Sequence, residues 1–113
     1  MSGTCELDLA PEHLETVRRI LARHVPDREV WAFGSRVTGR ARSHSDLDLM
    51  VLGEAPLPMA VRAVLAEALS ESDLPFRVDL VDWATASGTL RRAATARHAV
   101  VQSGTYQRKS SGT

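Results

Sequence analysis

Gly34-Ser35-Arg36-Val37-Thr38-Gly39-Arg40-Ala41-Arg42-Ser43-His44-Ser45-Asp46-Leu47-Asp48-Leu49 is the stretch on which the reading of this chain turns. It follows a short run of β-forming residues, Glu29-Val30-Trp31-Ala32-Phe33, and it ends inside a second run over residues 47–52. Between the two runs apolar periodicity vanishes, and Gly, Ser, Thr, Arg and His take over. A connection this short leaves no room for the helical crossover that parallel neighbours need, so the two strands are expected to pair antiparallel. That pairing carries Gly34-Ser35 and the two aspartates, Asp46 and Asp48, to the same end of a sheet.

Working outward, residues 11–25 read as a helix. Pro11 suits a first turn, Glu12 suits its positive end, and Leu14, Val17, Ile20, Leu21 and Val25 recur at helical spacing. Pro26-Asp27 ends it. Beyond residue 52, Gly53, Pro56 and Pro58 close the second strand. Residues 59–69 are rich in helix formers and apolar on most faces, which predicts a largely buried helix. Residues 76–83 alternate like a strand. A last helix is expected from Gly88 or Thr89 to Val101, with Gly104 as its stop. The class is α+β: a small mixed sheet packed with helices, in the order α-β-β-α-β-α. Residues 1–104 are expected to form one domain, with a frayed polar tail over 105–113.

The chain has 113 residues, enough for one core, and 43% of them are hydrophobic. Aromatics make up only 4%, so that core must be aliphatic. Fourteen basic residues balance fourteen acidic ones. This argues against a protein that coats nucleic acid through bulk charge. The single cysteine, Cys5, can form no internal disulfide. The opening residues lack the basic and then apolar regions of a signal peptide, and no apolar run is long enough to span a bilayer. A cytoplasmic location is expected.

The chemistry is carried by carboxylates next to a glycine turn. In a strand, residues two apart share a face, so Asp46 and Asp48 point one way while Leu47 and Leu49 point the other. At ~5 Å and an effective dielectric near 20, two such charges repel by about 3 kcal/mol. A divalent cation relieves that repulsion, and hard oxygen ligands suit Mg²⁺. Asp79, between Val78 and Leu80 in a later strand expected to be central, would be costly to bury unpaired, and it is preferred as the third acid because that aliphatic pair matches the surroundings of Asp48. Asp82 competes for that role. It lies three residues on, faces the opposite side, and reads as a strand-end residue. Gly34-Ser35 permits a tight turn that approaches an anion closely, with Arg36 as a charge-assisted helper. By itself that dipeptide is also an ordinary strand-ending turn.

The full pattern is Gly34-Ser35, ten intervening residues, Asp46-x-Asp48, and a later apolar-Asp79-apolar strand. It resembles the nucleotidyltransferase superfamily of DNA polymerase beta, and within it the minimal nucleotidyltransferases. The resemblance covers residues 29–83. It implies the polymerase beta-like fold and two Mg²⁺ held by Asp46, Asp48 and Asp79, with ATP as the substrate. Gly34, Ser35 and Arg36 would grip its phosphates. Small members of this kind are antitoxins that add AMP to a tyrosine of a helical HEPN-type toxin, which makes such a toxin the expected acceptor and partner.

Other readings remain beside this one. Arg40, Arg42 and His44 make the connecting loop basic, which suits either steering of triphosphate or plain solvation. His13, His24 and His98 show no metal-ligand spacing among themselves. A module that neutralises a partner by binding alone is the alternative to catalysis. Action on nucleic-acid ends is disfavoured by neutral charge and sparse aromatics.

Overall fold

The computed structural model describes residues 7–39 and 45–104. The expected tail over 105–113 lies outside the described residues, as do Arg40, Arg42 and His44. Helix α1 (Pro11–His24) has Pro11 in its first turn and Arg23 and His24 in its last, each suited to the end of the helix dipole it occupies. Val17 and Leu21 form its buried stripe.

Strand β1 (Val30–Phe33) pairs antiparallel with β2 (Leu47–Val51), as the short connection requires. β2 in turn pairs parallel with β3 (Val78–Asp82), and helix α3 (Met59–Ser70) forms the crossover between them. Among the described residues the sheet has four strands in the order β3-β2-β1-β4, where β4 is Ala99–Gln102.

Two features of this architecture were not expected. A four-residue helix, α2 (Ser35–Thr38), follows Gly34 directly. The last helix, α4 (Gly88–Ala96), stops short of Val101, and residues 99–102 form strand β4 (Ala99–Gln102) against β1. Arg97 already has extended dihedrals, φ −143° and ψ 111°. The short run Ala99-Val100-Val101 fits either period, and the open edge of β1 decides it as a strand.

Register sorts the side chains onto two faces, because residues opposite each other across strands point the same way. Leu47, Leu49 and Val51 share one face with Val30 and Ala32, and they join Val17, Leu21, Leu65 and Leu69 in an aliphatic core. On the other face, Trp31 pairs with Met50 and stacks on His98, with ring centroids 3.8 Å apart. His98 Nδ1 lies 2.9 Å from the Ala94 carbonyl of α4, so α4 leans on this face at the Trp31 end. Trp83, in a single 3-10 turn (Trp83–Thr85), meets Trp31 edge-on.

α3 departs from expectation. Only Leu65 and Leu69 are buried, while Met59 and Val64 are exposed. With helices on one side of the core only α1 and the sheet are available to cover α3, so its outer alanines face solvent.

Asp82 closes the end of β3. Its buried carboxylate receives the Leu57 amide at 3.2 Å and the Arg62 guanidinium of α3 at 2.7 Å. Arg62 Nη2 also donates to Leu80 O, on the outer edge of β3, at 2.5 Å. Asp82→Ala leaves a buried amide without its acceptor and should cost about 2 kcal/mol. That corresponds to a drop in Tm of roughly 10 °C for a domain of this size. Asp82→Asn, which keeps an acceptor for Leu57, should lose less. Thermal melts of both variants would check the order, and equal losses would contradict it.

Candidate active site

The acids come together because β2 and β3 deliver them in register beside the end of β1. Phe33, the last residue of β1, stands opposite Asp48, and Asp48 stands opposite Asp79 of β3. Leu47 N donates to Arg77 O at 2.8 Å and fixes this end of the β2–β3 pair. Asp46 lies just before β2 and is exposed, Asp48 is half-buried, and Asp79 is partly open on the edge strand. Asp82 points to the opposite face, toward Arg62, as its spacing from Asp79 predicts.

Gly34 turns the chain beside these acids. Its φ of +85° is one that side chains disfavour, and a methyl group added to it would stand 2.5 Å from Asp48 Oδ2. The glycine is therefore required both by the turn and by the carboxylate it touches. Ser35 then opens α2, with Val37 N donating to Gly34 O at 3.0 Å.

Arg36 sits differently from what the sequence suggests. It is only 5% exposed, and its guanidinium donates to backbone carbonyls: Nε and Nη2 to Ser45 O, and Nη1 to Asp8 O. Its plane lies over the Phe76 ring, 4.4 Å from the centroid. The expected phosphate helper is thus engaged within the protein. Its burial has no signature in local sequence, because Asp8 and Phe76 are distant along the chain.

Electrostatics bear the mark of crowding. The Asp48 carboxyl is pushed above the ordinary carboxylate value, first by burial and then by the negative charges of Asp79 and Asp46. Arg77 reaches Asp79 Oδ1 at 3.9 Å, but both side chains are exposed, so the pair contributes little. Among the described residues, no three His, Cys, Asp or Glu side chains form a ready-made cage for an ion. Mg²⁺ does not need one. It is held by one or two carboxylates, with waters and substrate phosphates completing its shell. A pair of opposed carboxylates, one raised by its neighbours and beside a glycine turn, fits such an ion.

A sign follows for stability. An acid whose folded value is raised binds its proton more tightly in the folded state, so stability falls as pH rises through the interval between the unfolded and folded values. The charged carboxylate remains a burden above that interval. In metal-free buffer at pH 7, Asp48→Asn should therefore melt above the wild type. The gain should shrink as pH falls toward the ordinary carboxylate value of 3.8, where wild-type Asp48 is protonated too. Melting curves across pH test this, and equal Tm values at pH 7 would contradict it.

Comparison with known proteins agrees with this geometry. A family model described as Polymerase beta, Nucleotidyltransferase matches residues 15–105. The chain is 50% identical over 102 residues to a probable protein adenylyltransferase MntA of Haemophilus influenzae, covering 90% of each. Among solved structures it is similar to a toxin–antitoxin complex with AMP-PNP, at TM-score 0.68 and 30% identity, covering 84% of this chain and 76% of the other. It also matches a tri-AMPylated Shewanella oneidensis HEPN toxin in complex with an MNT antitoxin, at TM-score 0.61 and 27% identity, over 86% and 74% of the two chains. A glycine turn beside register-paired aspartates, within a matched span of this length, places the chain in the polymerase beta nucleotidyltransferase family.

Proposed function

We propose that this chain is a protein adenylyltransferase that moves AMP from ATP to a tyrosine hydroxyl of a HEPN-type toxin, and so acts as the antitoxin of a pair in the cytoplasm. The observation that carries the reading is the register that sets Asp48 opposite Asp79 with Gly34 against the Asp48 carboxylate. The relatives support the donor and the partner: one solved complex holds AMP-PNP, and in another a HEPN toxin carries AMP. Among the described residues no helix is long and apolar enough to cross a membrane. The working unit in this proposal is a single domain over residues 1–104.

The residues divide the task by position. Asp46, Asp48 and Asp79 would hold two Mg²⁺ together with phosphate oxygens. Bound there, the ions would neutralise the triphosphate and lower the pKa of the acceptor hydroxyl. Gly34 leaves room for phosphate against the turn, and the Ser35 hydroxyl can donate to a phosphate oxygen. Asp79, on the edge strand, is open to an acceptor approaching from outside the sheet. The acceptor oxygen bonds to the α-phosphorus, the bond to the bridging oxygen breaks, and pyrophosphate leaves. The hydroxyl proton passes to the Asp79 carboxylate or to water. The protein contributes position and charge rather than a covalent intermediate.

A second reading, neutralisation by binding alone, is favoured by the exposed Met59 and Val64 on the outer side of α3. One experiment separates the two. Incubated with α-labelled ATP, Mg²⁺ and a cognate HEPN protein, the wild type should label that protein, whereas Asp46→Ala and Asp48→Ala should leave it unlabelled. Full toxin neutralisation by Asp46→Ala, without label, would favour binding alone. Gly34→Ala should fold yet lose roughly 100-fold in kcat/KM, because its methyl displaces the Asp48 carboxylate. Transfer kinetics beside a circular dichroism spectrum measure this, and near-normal kcat/KM would count against the site.

A further inference from the structure

We infer that Arg36 is the positioning residue of this site: its guanidinium ties together the segments that carry the phosphate turn, Asp46 and Asp79, and it does so without touching phosphate. The inference rests on the nucleotidyltransferase reading for what the site does, and on geometry alone for how Arg36 serves it.

A buried guanidinium is expensive unless its donors are satisfied and its flat faces covered. Arg36 meets both conditions through residues next to the site. Nε and Nη2 converge on Ser45 O at 3.1 and 2.8 Å, and Ser45 directly precedes Asp46. The guanidinium plane covers Phe76, which lies three residues before Asp79 on the approach to β3. The Arg36 backbone follows Ser35 in the first turn of α2. One side chain therefore reaches all three approaches to the acids and the turn.

A fourth segment is held as well. Nη1 donates to Asp8 O at 2.9 Å, and the Asp8 amide returns a bond to Arg36 O at 2.7 Å. The chain just ahead of α1 is thereby clamped to α2. Asp46 is exposed and lies just outside β2, with Ser45 before it and Leu47 after it. The paired bonds to Ser45 O anchor the chain on one side of Asp46, as the bond from Leu47 N to Arg77 O does on the other. Lysine cannot replace this arrangement, since an ammonium offers a point charge where the guanidinium offers a fork and a stacking face.

The test uses the full chain as Arg36→Lys. Amide hydrogen exchange is followed over residues 45–48, and transfer kinetics are measured with ATP, Mg²⁺ and the HEPN acceptor. Exchange there should speed up about tenfold, as expected when an anchoring bond of ordinary strength is lost. The kcat should fall roughly 10- to 100-fold with KM for ATP nearly unchanged, because the acids are misplaced while the phosphate turn persists. A tenfold rise in KM with unchanged kcat and exchange would make Arg36 a phosphate ligand and overturn the inference. A lower Tm with unchanged exchange and kcat would make it a plain stabiliser, with the same consequence. Phe76→Leu, which removes only the ring beneath the guanidinium, should raise exchange at residues 45–48 by a smaller factor, and this variant decides the matter if Arg36→Lys does not fold. If the wild type transfers nothing to the acceptor, the proposed function fails while the exchange results still judge Arg36.

Discussion

Two like charges held face to face are the constraint around which this molecule is arranged. Asp48 and Asp79 stand opposite each other on neighbouring parallel strands, with Asp46 nearby, and burial of Asp48 makes the repulsion worse. An isolated sheet would shed such a pairing by slipping register. Here a slip by one residue would turn Leu47, Leu49 and Val51 out of the aliphatic core and bring acids into it. The core thus enforces the proximity that the carboxylates resist, and the same alternation that builds the fold builds the site.

Enforcement needs both faces and both ends of the sheet. On the core face, Asp82 anchors β3 to α3 through Arg62 and to the preceding loop through Leu57. On the other face, His98, in contact with the Ala94 carbonyl of α4, stacks on Trp31. At the Asp48 end, Arg36 of α2 ties loop, turn and strand approach together. Stability is spent at one end of the sheet so that charge can be concentrated at the other.

The sequence disclosed the parts of this scheme that depend on neighbours along the chain. The short connection between residues 33 and 47 implied antiparallel strands, and strand parity separated Asp79 from Asp82 without any knowledge of tertiary contacts. What it withheld depends on contacts between distant segments. Residues 99–101 read as helix because Ala and Val at that spacing satisfy either period, and only the free edge of β1 makes them part of a strand. The outer side of α3 is apolar because small alanines fill it, which looks like burial in a pattern and is not burial in space. Arg36 stood next to a phosphate-type turn and so resembled a ligand, yet its partners come from residues 8, 45 and 76.

The bond from Arg62 to Leu80 O bears on how an acceptor would arrive in the proposed transfer. β3 is an edge strand, and an edge invites another strand to extend the sheet through backbone pairing. The Arg62 guanidinium is bonded to the carbonyl at the middle of this edge and stands where an incoming strand would pair. In the proposed transfer, an acceptor protein would then offer its hydroxyl as a side chain reaching over the rim toward Asp79. Selection would then depend on where the acceptor's own fold holds that side chain, and little on the sequence around it.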